Sequence, residues 1–268
     1  MGAFDPLLTI DELNKALGCK NIIIEKQIGD GGQGDVFKAK ANNQDIALKI
    51  YNLIHTNVVR VEREIQALKK LQSNYIAKLI LFDDIEIREN NCKIIAYDYI
   101  DGANLEQILS GQSTLPSDVV KKICFRIVSV LDDLWRLRIV HRDVNPKNIM
   151  MDKAMNSFLI DLGIARHIEE GTITNEGWTI GTNGYMSPEH ISARKSLTIK
   201  SDIFELGIVL YSCLKGKHPF KSSNLIILKA IKPDDLNLKD PLEKLINDML
   251  EFSPVNRPNS IEILKQIT

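Results

Sequence analysis

His141-Arg142-Asp143-Val144-Asn145-Pro146-Lys147-Asn148, followed downstream by Asp161-Leu162-Gly163, is the stretch on which the reading of this chain turns. Moving a phosphoryl group asks little covalent chemistry of a protein. It needs a carboxylate to take the acceptor hydroxyl's proton and oxygen ligands for the cation carried on the phosphates. Asp143 suits the first task, and Asn148 with Asp161 the second. Loss of a general base typically costs ~10²–10⁴ in rate. A loop aspartate that merely caps a turn is the structural alternative for Asp143, and the presence of both Asn148 and Asp161 weighs against it.

Composition bounds the rest. A chain of 268 residues can bury one large core or two modest ones. With 34 basic and 35 acidic residues, the net charge of -1 gives no electrostatic argument for a nucleic-acid or membrane partner. Cys19, Cys92, Cys124 and Cys213 form no C-x-x-C, so reduced, packed thiols of a cytoplasmic protein are expected rather than a zinc or redox motif. No apolar run reaches the ~20 residues that span a bilayer. The start lacks a basic region followed by an apolar stretch, and Gly2 is followed by Pro6 where a myristoylation motif wants Ser or Thr.

Residues 1–20 read as a helical extension, with Thr9 as N-cap, Asp11 and Glu12 in the first turn and Gly18 after the last apolar residue. From Asn21 to about Tyr99 strand patterns dominate: Ile22-Ile23-Ile24, Asp35 to Lys40, Asp45 to Tyr51 and Lys93 to Tyr99, interrupted by one helix near Val58 to Leu71. From Asp118 onward Val119, Val120, Ile123, Ile127, Val130, Leu131 and Leu134 recur at three-and-four spacing, and the helical character persists to Thr268. This order predicts an α+β chain: a small, mostly antiparallel lobe over about 21–99, a hinge over about 98–104 and a larger helical lobe over about 102–268.

Ile28-Gly29-Asp30-Gly31-Gly32-Gln33-Gly34-Asp35-Val36 carries G-x-G-x-x-G-x-V between two strand patterns, where a backbone without side chains approaches phosphates closely. Alone this is no more than a Gly-rich hairpin turn. Lys49, on the third strand pattern, adds a second signal. A dinucleotide fold would place a helix directly after the glycines, and a P-loop would need Gly-Lys-Ser/Thr there. A buried ammonium needs a partner, and the helix after Lys49 offers Glu62 and Glu64. Glu64 is favoured because Ile65 and Leu68 form an inward face beside it, whereas Glu62 groups with Arg63 and Gln66 on a solvated face.

In order and spacing these motifs resemble the protein kinases, in particular the eukaryotic-like serine/threonine kinases of bacteria, and the resemblance covers residues 21–268. It implies a bilobal protein-kinase-like fold that binds ATP and Mg²⁺ and phosphorylates protein hydroxyls. It implies Asp143, Lys49, Asn148 and Asp161 as catalytic residues, with Asn148 and Asp161 on the metal. Nucleotide contacts are implied for Ile28, Gly29, Gly31, Gly34, Val36, Ala47, Lys49, Glu64, Met150 and the backbone of Asp98, Tyr99 and Ile100. Tyr97 falls where the family guards the back of the adenine pocket. Gly181-Thr182-Asn183-Gly184-Tyr185-Met186-Ser187-Pro188-Glu189 resembles the family's peptide platform, with Thr182 bonding the base, Glu189 pairing with Arg257 and Asp202 bracing the catalytic loop. His141 is implied as a structural brace and Arg142 as a phosphate partner on the activation segment, where Thr172, Thr174 and Thr179 are candidate acceptors.

Three departures from the pattern are visible. The lysine usually found two residues after the base is Asn145, Lys147 stands where an acidic residue is frequent, and Leu162 replaces the usual phenylalanine. The interval from Lys49 to Glu64 is also short for the family. The resemblance implies an ATP-dependent serine/threonine kinase with protein substrates, no nucleic-acid or membrane partner, and an open oligomeric state in which transient self-association would serve autophosphorylation. A nucleotide-binding scaffold without turnover is the alternative that Asn145 suggests. A small-molecule kinase is a third, and the peptide platform argues against it.

Overall fold

Thr9 starts the first helix, α1 (Ile10–Leu17): its hydroxyl accepts from the Glu12 N–H while the Glu12 carboxylate accepts from the Thr9 N–H, a reciprocal capping box. The computed structural model describes residues 4, 7–31, 34–54, 56–111, 114–162, 166–167, 181–192 and 197–268. They divide into two units, Met1–Lys70 with Ala77–Ile100, and Leu71–Ile76 with Asp101–Thr268.

In the first unit α1 is followed by β1 (Ile22–Gly31), β2 (Gly34–Ala41), β3 (Gln44–Asn52), α2 (Val58–Lys70), β4 (Leu79–Ile87) and β5 (Asn90–Asp98). The strands form one antiparallel sheet in the order β1-β2-β3-β5-β4. Because successive side chains alternate faces, Ile46, Leu48 and Ile50 of β3 share one face with Ile94 and Ala96 of β5, and Ala47, Lys49 and Tyr51 share the other with Ile95 and Tyr97. Leu13 and Leu17 of α1, fully buried, join Ile22, Phe37, Leu48, Ile50 and Ile94 in a single apolar cluster. α1 therefore covers one face of the sheet. α2 covers the opposite face with Val61, Ile65 and Leu68.

The strand β4 escaped the sequence reading. Its solvent edge carries Asp83, Asp84 and Glu86, and its turn to β5 runs through Arg88 and Glu89, both at positive φ (51° and 63°) without a glycine or asparagine to mark it. Arg88 is held there by Glu12, which its guanidinium meets at 2.9 Å.

The second unit has a helical frame: α3 (Leu105–Gly111), α4 (Ser117–Arg136), α5 (Pro188–Ile191), α6 (Ile199–Lys215), α7 (Asn224–Leu228), α8 (Pro241–Met249) and α9 (Ser260–Ile267). Short strands β6 (Gly102–Asn104), β7 (Ile139–Val140), β8 (Ile149–Asp152), β9 (Ser157–Leu159) and β10 (Arg166–His167) lie between them, paired as β6-β8-β9 and β10-β7. The apolar stripe of α4 is buried as its spacing requires, from Val120 to Leu134. α6 is buried nearly all round, which makes it the core helix against which α4 and α8 pack. Leu71–Ile76 belongs here because the Leu159 N–H donates to the Tyr75 carbonyl at 2.9 Å and Ile76 bridges Leu159 in parallel. Cys92, Cys124 and Cys213 are buried free thiols, whereas Cys19, expected to be packed, is exposed. Among the described residues no helix is long and apolar enough to cross a membrane.

Candidate active site

Two carboxylates on α6 hold the loop that follows β7. Asp202 accepts the His141 N–H on Oδ2 (2.9 Å) and the Arg142 N–H on Oδ1 (2.8 Å), and one turn later Glu205 accepts the Val144 N–H at 3.0 Å. Arg142 sits at φ 68°, a left-handed conformation costing of order 1–3 kcal/mol that persists only where its surroundings over-determine it. Both acids are wholly buried, and burial, with Glu205's charge beside Asp202, pushes the Asp202 carboxyl up. Burial likewise raises Glu205, against the opposing hydrogen bond of His190 Nδ1 at 3.1 Å.

The loop ends in a short 3₁₀ turn, Pro146–Asn148, which Asn145 caps by accepting the Lys147 N–H on Oδ1 at 2.9 Å. The other end of the same amide donates to the Asp143 carbonyl (3.2 Å) and to Thr182 Oγ1 (3.0 Å). Thr182 in turn donates to Asp143 Oδ1 twice, from its N–H at 3.0 Å and its hydroxyl at 2.6 Å. Asn148 Nδ2 donates to the Asp143 carbonyl (2.9 Å) and to Oδ2 (3.0 Å). Asp143 Oδ1 thus has both lone pairs taken, while Oδ2 has accepted one bond.

The β8–β9 hairpin places the second carboxylate. It pairs Ile149 with Leu159, and the Ile160 N–H donates to the Asn148 carbonyl at 2.9 Å, so Asp161 follows one residue past the Asn148 position. Asp161 is at φ 69°, and its carbonyl accepts from His141 Nε2 at 2.9 Å. Since a carbonyl can only accept, Nε2 carries the proton, and Nδ1 is left to accept the Asp143 N–H at 3.3 Å. His141 is spent on backbone, as a brace. Asn148 turns its NH₂ to Asp143, and its Oδ1 together with the Asp161 carboxylate could hold a hard cation, since an all-oxygen pair suits Mg²⁺. Among the described residues no group of three or more His, Cys, Asp or Glu gathers as a cation site.

In the first unit Lys49 is buried on the α2 side of the sheet. Of the two acids offered by α2, Glu64 is 2% exposed and Glu62 lies in solvent. Glu64 accepts the hydroxyl of Tyr51 on Oε2 at 2.7 Å and that of Tyr97 on Oε1 at 2.6 Å. The β1–β2 ladder ends on the pair Gly31–Gly34. A Cβ on Gly34 would lie 2.7 Å from the Ile50 carbonyl oxygen, which explains that glycine by crowding from β3. Gly29 stands opposite Val36, Ile28 is exposed, and Val36, Ala47, Asp98, Tyr99 and Ile100 are half-buried. Met150, in the second unit, is half-buried on β8.

Beyond Thr182 the chain is anchored by Glu189. Arg257 donates to both its oxygens, at 2.6 and 2.9 Å, and spends its other donors on the carbonyls of Lys200, Glu251 and Phe252. Burial alone would raise the Glu189 carboxyl, but Arg257's bonds and charge outweigh it and hold it below the usual carboxylate range. Gly184, at φ 85°, faces the Ser222 backbone so closely that a Cβ would come within 2.6 Å of its Cα.

The second unit thus gathers Asp143, Asn148 and Asp161, and the first gathers Lys49 and Glu64. Thr172, Thr174 and Thr179, with Gly163, lie outside the described residues. Lys147 turns outward, its ammonium 3.7 Å from Glu106 with both side chains more than half exposed. The sequence reading missed Glu205, the two tyrosines on Glu64 and the bracing role of Asn145. For the last a signal exists: Asn followed by Pro is the mark of an N-cap with proline in the first helical position.

The gathered side chains and the two architectures define a phosphotransferase domain of the protein kinase class. Residues 22–267 match the protein kinase domain family, and the chain belongs to it. Over 269 residues it is 31% identical to the serine/threonine-protein kinase pkn3 of Myxococcus xanthus, covering 90% of this chain and 48% of that one. It is 32% identical over 225 residues to the serine/threonine-protein kinase PrkC of Bacillus subtilis (81% of this chain, 34% of that one). It is 30% identical over 213 residues to PknE of Mycobacterium tuberculosis (77% and 37%). These are bacterial serine/threonine kinases, the type that the motifs resemble, and the chain spans about half or less of their length.

Proposed function

We propose that this chain transfers the γ-phosphate of ATP to serine and threonine hydroxyls of proteins, itself included. The observation that carries this is the fixing of Asp143: Thr182 saturates Oδ1 and Asn148 steadies Oδ2, which leaves one lone pair of Oδ2 for an incoming proton. In the step, the acceptor oxygen forms a bond to the γ-phosphorus as its proton passes to Oδ2. The bond from that phosphorus to the β,γ-bridging oxygen breaks, and ADP leaves. Lys49 orients the phosphates, with Glu64 as its partner, and the glycines of β1 and β2 let the backbone approach them. Asn148 Oδ1 and Asp161 would hold Mg²⁺, which neutralises phosphate charge. In the first unit Val36 and Ala47 would meet the adenine, with the backbone of Asp98 to Ile100 beside it, and in the second unit Met150 is the adenine contact that the family resemblance implies.

The same reading makes Asn145 a strut rather than a lesion, so turnover survives without the usual lysine. ATP supply and the buried free thiols support cytoplasmic action, and phosphotransfer to proteins supports a signalling role. The test is transfer of labelled phosphate from ATP and Mg²⁺ to the protein and to dephosphorylated casein, with Asp143→Asn beside the wild type. Transfer abolished in the variant is expected. No transfer by the wild type, with ATP still raising its melting temperature, would overturn the reading in favour of a scaffold.

A further inference from the structure

Both carboxylate oxygens of Glu64 are engaged by tyrosines from two different strands. Tyr51 comes from β3, two residues beyond Lys49 on the same face, and Tyr97 comes from β5, where it stands opposite Ala47. Their hydroxyls reach Oε2 and Oε1 at 2.7 and 2.6 Å, the short distances of hydrogen bonds to a charged acceptor. Tyr51 has a second contact: its ring lies under the Lys49 ammonium, 4.9 Å from ring centroid to Nζ, within the range of a cation–π attraction. Lys49, Tyr51, Glu64 and Tyr97 are all buried, at 5%, 1%, 2% and 7% exposure. In such surroundings a polar group without its bond forfeits its full desolvation penalty, so neither hydroxyl is incidental.

We propose that Tyr51 and Tyr97 are positioning residues for phosphoryl transfer: they latch the Glu64 carboxylate, and with it helix α2, onto the sheet, and Tyr51 additionally seats the Lys49 ammonium. The proposal rests on the kinase reading above. Its geometric basis is that α2 carries the acid while β3 and β5 carry the hydroxyls. Any swing of α2 away from the sheet breaks both bonds at once. The setting of Glu64 is thereby written into the first unit itself. Tyr97 does this from the position where the family resemblance places only a guard of the adenine pocket.

Tyr→Phe removes each hydroxyl and keeps the ring, so the fold and the cation–π face survive. Tyr51→Phe, Tyr97→Phe and the double variant are assayed for casein phosphorylation, for kcat and for KM of ATP, in the wild-type and Glu64→Gln backgrounds, with Asp143→Asn as the control. Loss of a hydrogen bond to a charged group is expected to lower kcat by about tenfold or more in each single variant, with KM changing far less. In the Glu64→Gln background the same substitutions are expected to cost less than about twofold, because their effect runs through that carboxylate. Phe variants that melt lower but turn over like the wild type overturn the proposal, as do equal losses in both backgrounds. If Asp143→Asn abolishes transfer while the Phe variants match the wild type, the latch fails and the kinase reading stands. If the wild type transfers nothing, both fall.

Discussion

Asn145→Ala removes a side chain that is 2% exposed and makes three hydrogen bonds, none of them to solvent. Its N-cap bond to the Lys147 N–H is worth ~1 kcal/mol, the typical cost of replacing a capping asparagine by alanine. The bonds to the Asp143 carbonyl and Thr182 Oγ1 add ~0.5–1.5 kcal/mol each. The sum, about 2–4 kcal/mol, corresponds to a fall in melting temperature of roughly 4–7 °C for a chain of this size. Turnover is expected to fall about tenfold, since a loss of ~1.4 kcal/mol in holding Thr182 against Asp143 is a factor of ten. Asn145→Lys, which restores the residue that kinases usually carry here, is expected to lose stability as well, because lysine has no acceptor for the Lys147 N–H. Differential scanning calorimetry and initial rates of casein phosphorylation check both variants. An alanine variant that melts with the wild type, or a lysine variant that is as stable and faster, would refute the strut.

Arg257→Leu leaves the Glu189 carboxylate buried without its partner and is expected to cost about 3–5 kcal/mol in denaturant unfolding, with Glu189→Met/Arg257→Leu together costing less than the sum of the single changes. His218 Nδ1 accepts the N–H groups of Phe220 and Ser222 at 3.0 Å, and burial lowers its pKa from 6.5 to about 4, so the neutral ring favours folding. That contribution, roughly 1–3 kcal/mol, is complete above pH 6.5 and is lost as pH falls toward 4. His218→Asn, which keeps an acceptor but does not titrate, is expected to flatten this part of the stability–pH curve. Gly34→Ala forces a Cβ against the Ile50 carbonyl and is expected to cost about 1–3 kcal/mol, seen as faster hydrogen exchange of the β2 and β3 amides.

Much of the candidate site was legible because the proposed chemistry restricts residue type within a short span, and Asp143, Asn148 and Asp161 are gathered as that spacing suggested. Glu64 could be chosen over Glu62 because the helical period alone separates the inward from the outward face. The period-two strands announced β2, β3 and β5, but not β4, whose outward acids hide an inward pair, Ile85 and Ile87. What stayed hidden depends on contacts across the chain. Asn145 reads as a missing charge until its bond to Thr182, 37 positions away, is known. Glu205 sits in a helix pattern, and nothing local says that it holds Val144. Tyr51 and Tyr97 pass for core aromatics, because a sequence shows the ring and not the partner of its hydroxyl.

The family match begins at residue 22, yet the packing begins earlier. Leu13 and Leu17 close the sheet face opposite Lys49, and Glu12 pins the β4–β5 turn through Arg88. Homology and hydrophobic closure therefore draw different borders on this polypeptide. A fragment trimmed to the family's limits would keep every strand of the five-stranded sheet and still present Leu48, Ile50 and Ile94 to water, an adhesive surface on an otherwise correct sheet. The segment that reads as an appendage is the lid of the smaller core, and it belongs in any excised version of the domain.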